Sequence, residues 1–189
     1  MSATFAPGGF QPAFHPTGLD RAAPFAIAAA YNTPIYKYGM CTLNTNGTVT
    51  IAAVAADFLG VFDGVEWTDA QQKPNKSNFW PGAQTGATEI TAWVWSDPAT
   101  VFLVQADGSI AQTAVGDQAD ATTATIASGS TSTGLSSSSL SSTLAGVGVQ
   151  AQWRIVGFGN APDNAPGDAY TTVQVQMARQ QFVANKVAI

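Results

Sequence analysis

The run Ile35-Tyr36-Lys37-Tyr38-Gly39-Met40-Cys41-Thr42-Leu43 is followed by Asn44-Thr45-Asn46-Gly47, and then by Thr48-Val49-Thr50-Ile51-Ala52-Ala53-Val54-Ala55. The first run alternates aromatic and small residues, the middle is a strong turn signal, and the third is rich in β-branched residues. Two such runs across an Asn/Gly turn predict a β-hairpin. Phe58–Trp67 alternates again, and Glu89–Trp95 and Thr100–Gln105 are short runs of β-branched and aromatic residues. Asp97-Pro98 and Ala106-Asp107-Gly108 punctuate them. Val149–Phe158 and Tyr170–Met177 resume the pattern, with Val173, Val175 and Met177 alternating against Thr172, Gln174 and Gln176. One face of that last strand is therefore buried and the other polar. Short strands at regular spacing predict a mainly β fold, a small antiparallel β-barrel or β-sandwich.

The flanking segments differ in character. Residues 1–34 carry Pro7, Pro12, Pro16, Pro24 and Pro34 with Gly8, Gly9 and Gly18, too many breaks for a helix. They read as an extended N-terminal arm, on the order of 100 Å long if fully stretched. Phe5, Phe10, Phe14 and Phe25 are spaced along it in a segment with little capacity for a core of its own. Either the arm wraps its own domain or it docks these rings on a partner. Residues 35–189 form a single β domain, interrupted by a Ser/Thr-rich excursion over 109–148. In the excursion Leu135, Leu140 and Leu144 recur at helix-compatible spacing behind Thr133 as N-cap, so it carries at most a short helix.

Composition narrows the function. Charged residues make up 10% of 189, against a usual figure of about 25%, and the net charge is −5. There is no basic run of the kind that binds nucleic acid through its phosphates. The most apolar stretch, Ala22–Tyr31, is too short to span a membrane and contains Pro24. The first 20 residues hold no Lys or Arg, which makes the cytoplasm the expected place of synthesis. A single cysteine, Cys41, rules out an internal disulfide and a Cys-based zinc site, and its place in an apolar strand predicts a buried, inert thiol. Such a composition suits a surface solvated by Ser, Thr, Asn and Gln, or one largely covered by other proteins.

Candidates for chemistry are few. His15 is the only histidine and lies in the arm beside Pro16, with no fixed nucleophile in prospect. Asp63, Glu66 and Asp69 cluster near Phe62 and Trp67. Paired carboxylates beside aromatic rings are the equipment of glycoside hydrolysis, but three acids on a strand leading into a turn are also an ordinary solvated edge. Neither this cluster nor Asp163/Asn164/Asp168 has EF-hand spacing, and Gly157-Phe158-Gly159 lacks a third glycine in register. No enzymatic activity, cofactor or metal is expected. Of the five tryptophans, Trp93 and Trp95 share a face and read as core, while Trp80, in the Asn78-Phe79-Trp80-Pro81 loop, is the one expected to face a partner.

Four blocks carry a resemblance. They are Gly60–Thr68 (GVFDGVEWT), Ser77–Pro81 (SNFWP), Ser96–Gln105 (SDPATVFLVQ), and the turn from Ala161-Pro162-Asp163-Asn164 to Gly167. In this order, across roughly residues 35–185, the chain resembles the small capsid decoration, or cement, proteins of tailed bacteriophages. It departs from that pattern at Ala161, where an arginine is expected, and at Phe79, where a tyrosine is expected; the arm lies outside it. The resemblance implies a β-rich structural protein on the capsid exterior of the virion, bound to the major capsid protein and stabilising contacts between capsomers. Self-association as a dimer or trimer on the lattice is expected with it, with Phe5, Phe10, Phe14, Phe25 and Trp80 as partner contacts. A carbohydrate-binding β-sandwich that uses tryptophans as stacking platforms is the alternative, and a tail or vertex component a further one.

Overall fold

A computed structural model describes residues 4–18 and 20–183. Its strands are β1 (Gln11–Phe14), β2 (Ala23–Ala26), β3 (Met40–Leu43), β4 (Val49–Ile51), β5 (Gly60–Thr68), β6 (Pro74–Ser77), β7 (Thr88–Trp95), β8 (Val101–Gln105), β9 (Gln118–Ala121), β10 (Leu140–Leu144), β11 (Trp153–Phe158) and β12 (Thr172–Met177). They form two antiparallel sheets of six. The first runs β1-β8-β12-β11-β9-β10; the second runs β2-β7-β5-β3-β4, with β6 paired to the far end of β5. Neither sheet closes on itself, so the fold is a sandwich and not a barrel.

The expected hairpin is β3–β4, with Cys41 opposite Ile51 and Leu43 opposite Val49. Its turn closes by hydrogen bonds from Gly47 N to Asn44 O (2.9 Å) and from Asn44 N to Thr48 O (2.9 Å), with Gly47 at a φ of 79°. That left-handed conformation is why glycine stands there. The strand begins later than its alternation predicts. Tyr38 sits at a φ of 68°, which breaks the extended run between Ile35 and Met40.

Alternation along the strands builds two cores. Between the sheets, Met40 and Val61 of the second, with Phe58 from the segment leading into β5, meet Phe102, Val104, Trp153, Ile155, Val173 and Val175 of the first. On the other face of the second sheet, Cys41, Val49, Phe62, Val65, Ala92 and Val94 form a separate apolar layer. That layer is covered by Ile27, Ile35 and Trp80, which arrive from irregular segments. The second sheet is thus buried on both faces, which explains the near-continuous apolar reading of Gly60–Val65.

The N-terminal segment is built into this frame. β1 pairs with β8 at the edge of the first sheet, and β2 pairs with β7 at the edge of the second. The chain passes from one sheet to the other between them. There the Thr100 hydroxyl bonds the Asp20 carboxylate. Phe10 enters the inter-sheet core, fully buried, and stacks on Trp153 with ring centroids 4.3 Å apart and planes within 7°. Gly9 makes this entry sterically feasible: it has a φ of 76°, and a Cβ there would lie 2.6 Å from Tyr38 O.

The Ser/Thr-rich excursion also belongs to the sandwich. It supplies β9 and β10, which extend the first sheet beyond β11. The short helix expected behind Thr133 does not form: Leu140 and Leu144 lie in β10, and the only helical turn among the described residues is a 3-10 turn at Gln112–Ala114. The serines explain the difference. Ser138 Oγ bonds Thr125 O (3.3 Å) and Ile126 O (3.2 Å), and Thr125 Oγ1 lies 2.9 Å from Ser139 Oγ. Side chains that bond backbone across a loop compete with the helical ladder. Ser136, Ser138 and Ser139 are buried as a result.

Candidate interaction surfaces

The residues expected at a partner surface divide. Phe10 and Trp80 are fully buried, so both are corrected to core positions. Trp80 lies against the second sheet: its Nε1 donates to Tyr31 O (2.9 Å), and its backbone exchanges hydrogen bonds with Ile35 (3.0 and 2.8 Å). A tryptophan in a Pro/Asn loop reads as exposed, but this one closes an apolar layer that local sequence does not reveal. Phe25 is half-buried against the same layer. Phe5 and Phe14 remain accessible, 39% and 51% exposed, with Phe5 tilted against Tyr170 at 5.3 Å.

Phe14 has company. His15, the next residue, places Nε2 3.3 Å from Asp97 Oδ2, outside hydrogen-bonding alignment. Asp97 and Pro98 share a groove with Arg21, Phe182 and Val183. Phe182 and Val183 are 62% and 43% exposed. They are held out by the two glutamines before them. Gln180 is buried and donates to Leu59 O and Ser96 O (both 3.1 Å), while its Oε1 accepts from Phe182 N (2.7 Å). Gln181 clasps Leu43 through both its amide atoms (2.8 and 2.9 Å). The groove thus displays two apolar side chains, Phe182 and Val183, on a pinned backbone. The signal in the sequence is Arg179-Gln180-Gln181, three long polar side chains just past the strand, and all three tie this stretch back to the second-sheet region.

The acidic cluster is dispersed by pairing. Asp63 Oδ1 accepts from Lys37 Nζ (2.6 Å), and Glu66 Oε1 from Lys76 Nζ (2.8 Å). Asp69 Oδ1 accepts from the backbone of Gln71 and Lys73 (2.9 Å each), and its Oδ2 from Asn75 Nδ2 (3.0 Å), so it organises the β5–β6 turn. The Lys76 hydrogen bond holds the Glu66 carboxyl below the usual range, with a smaller contribution from the Trp93 indole N–H. The Lys73 backbone N–H, with Asn75 and then Gln71, does the same for Asp69. A general acid for glycoside cleavage needs the opposite shift. His15 is nearly buried and bonds Thr17 through Nδ1 (2.7 Å to the hydroxyl). Burial raises the Cys41 thiol far above its ordinary range, and its Sγ donates to Gly60 O (3.4 Å). Among the described residues no three His, Cys, Asp or Glu side chains gather as metal ligands, and no helix is long and apolar enough to cross a membrane.

Two adjoining hollows open on the second sheet. One, of about 420 Å³, is lined by Lys37, Asp63, Glu66, Lys76, Asn78 and Trp93 among others. The next, of about 340 Å³, shares Glu66 and Lys76 with it and continues past Trp67 to Thr91. Against known proteins, no family model, curated protein or solved structure matches this chain.

Proposed function

We propose that the protein is a non-enzymatic structural component of a tailed-phage virion, bound to the outer surface of the capsid and stabilising contacts between capsomers. The observation that carries this reading is the pair Phe182 and Val183, exposed on backbone pinned by Gln180 and Gln181, with Phe14 of the edge strand β1 exposed as well. Exposed apolar side chains held in fixed positions on a weakly charged surface suit protein contact. The four-block resemblance supports the same reading, with the major capsid protein as partner and self-association as a dimer or trimer on the lattice. Repetition over a symmetric shell would let modest individual contacts sum to firm attachment.

The test is the abundance of the protein in gradient-purified virions, measured by quantitative mass spectrometry against the major capsid protein. A comparable copy number is expected, and absence from the particle would overturn the proposal. A few copies per virion would mean a tail or vertex component instead. Because Phe10 lies in the core, removing residues 1–34 would unfold the sandwich and test nothing. Phe14→Ser and Phe182→Ser are the informative variants: each should keep the fold and lose capsid binding.

A further inference from the structure

Trp93 is not accounted for by packing. Trp95, two residues along the same strand and on the same face, packs against the inter-sheet core, whereas Trp93 belongs to neither apolar layer. In the sheet it stands opposite Gly64 of β5 on one side and Pro24 of β2 on the other. A glycine on one side leaves the indole flanked but not covered. Trp93 is partly buried, outside both cores, and leaves the remainder of its indole facing a hollow.

What surrounds it is polar and electrically balanced. Lys37 pairs with Asp63 at 2.6 Å and Lys76 with Glu66 at 2.8 Å, so two cations and two anions line the hollow with no net charge. Such a lining does not select a phosphate, an acidic peptide or a basic one. It presents acceptors and donors side by side, with the Asn78 amide at the rim. A vicinal pair of hydroxyls uses both kinds at once, since each hydroxyl donates one hydrogen bond and accepts others. The apolar C–H face of a pyranose ring, in turn, lies flat on an aromatic ring. The hollow continues past Glu66 and Lys76 toward Trp67, Thr91 and Glu89, whose carboxylate accepts from the Thr68 hydroxyl (3.0 Å) and adds one negative charge. This continuation makes it a groove that takes a chain of sugars more readily than a single one.

We infer that this groove is a binding site for a neutral oligosaccharide, with Trp93 as the stacking platform and the Lys37–Asp63 and Lys76–Glu66 pairs as hydroxyl partners. The lysines hold both carboxylates in place as acceptors, at 2.6 and 2.8 Å. The groove shares no lining residue with the hollow that holds Phe182 and Val183, so a capsid-bound copy would have a second contact to make.

The test is titration of the full chain with chitohexaose, cellohexaose and maltohexaose, followed by the indole N–H resonances in a ¹H–¹⁵N spectrum. Saturable movement of the Trp93 resonance with at least one of the three is expected. Trp93→Ala should weaken that binding by about tenfold or more, a loss of roughly 1.4 kcal/mol or more, measured at a temperature where the variant remains folded. Glu66→Gln, at an exposed position, should also weaken it and serves if Trp93→Ala does not fold. The inference is overturned if none of the three moves the Trp93 resonance at about 10 mM, where a 1 mM site would be roughly nine-tenths filled. It is equally overturned if binding survives Trp93→Ala, or if only a sulfated heparin hexasaccharide binds. Capsid decoration by Trp93→Ala should be unchanged, which keeps this outcome distinct from that of the capsid proposal.

Discussion

Replacing Phe10 by alanine tests whether the N-terminal segment is structural or merely attached. The ring is fully buried and stacked on Trp153, itself in contact with Phe58 and Phe102 at centroid distances of 5.0 and 5.4 Å. Its backbone N–H is already fixed to Tyr38 O at 2.9 Å, so the site has little freedom to collapse into the space left behind. A Phe→Ala change in such a place costs about 3–5 kcal/mol, against a total stability of roughly 5–15 kcal/mol for an ordinary domain. At about 2–4 °C per kcal/mol for a chain of this size, the melting temperature should fall by about 6–20 °C. Urea unfolding monitored by tryptophan fluorescence reads the same loss as a lowered midpoint at constant slope. Phe14→Ala, at an exposed position on the same segment, is the control and should stay within about 0.5 kcal/mol. A Phe10→Ala protein that melts within about 2 °C of wild type would refute the argument, because the arm would then be dispensable to the sandwich.

Two further predictions concern polar groups. Gln152 is fully buried; its Nε2 donates to Ala53 O (2.8 Å) and Ala56 O (3.0 Å), and its Oε1 accepts from Ala121 N (3.1 Å), tying the two sheets together. Gln152→Ala would leave three backbone groups unpaired at about 1–3 kcal/mol each, less whatever water recovers, and Gln152→Glu should be worse because a carboxylate would face two carbonyl oxygens; chemical denaturation ranks the two. For Glu66 and Asp69, carboxyl titration by NMR should give midpoints below their ordinary values of 4.5 and 3.8. Because the folded-state values are the depressed ones, the stability linked to them is fully present above about pH 4.5 and is lost as pH falls through the lowered midpoints. Lys76→Ala should return the Glu66 midpoint upward, since the Lys76 hydrogen bond is its largest cause.

The β12 strand illustrates how much of the fold was legible locally. Its alternation of Val173, Val175 and Met177 with Thr172, Gln174 and Gln176 named the buried face, and the structure places those three residues in the inter-sheet core. The β3–β4 hairpin was equally plain from its Asn/Gly turn. The sites were less so. Asp63, Glu66 and Asp69 are close in sequence, but their partners, Lys37, Lys76 and the β5–β6 turn, come from other strands and loops. Trp93 was read as core because its face is that of Trp95; that the first sheet covers only one of the two is a matter of how far that sheet extends.

The sequence by itself determined that the chain is mainly β, where most strands lie, and that it is sparsely charged, with a net charge of −5. Those properties are written in period-two patterning, turn residues and composition, all local or additive. Tertiary structure alone decided that the proline-rich segment supplies an edge strand to each sheet, that the serine-rich stretch is strand and packed loop, and that Phe10 and Trp80 are buried while Phe14 and Trp93 are not. The physical reason is that burial depends on what arrives from distant parts of the chain. An aromatic side chain in a loop carries the same local signal whether a sheet, a partner or water lies against it.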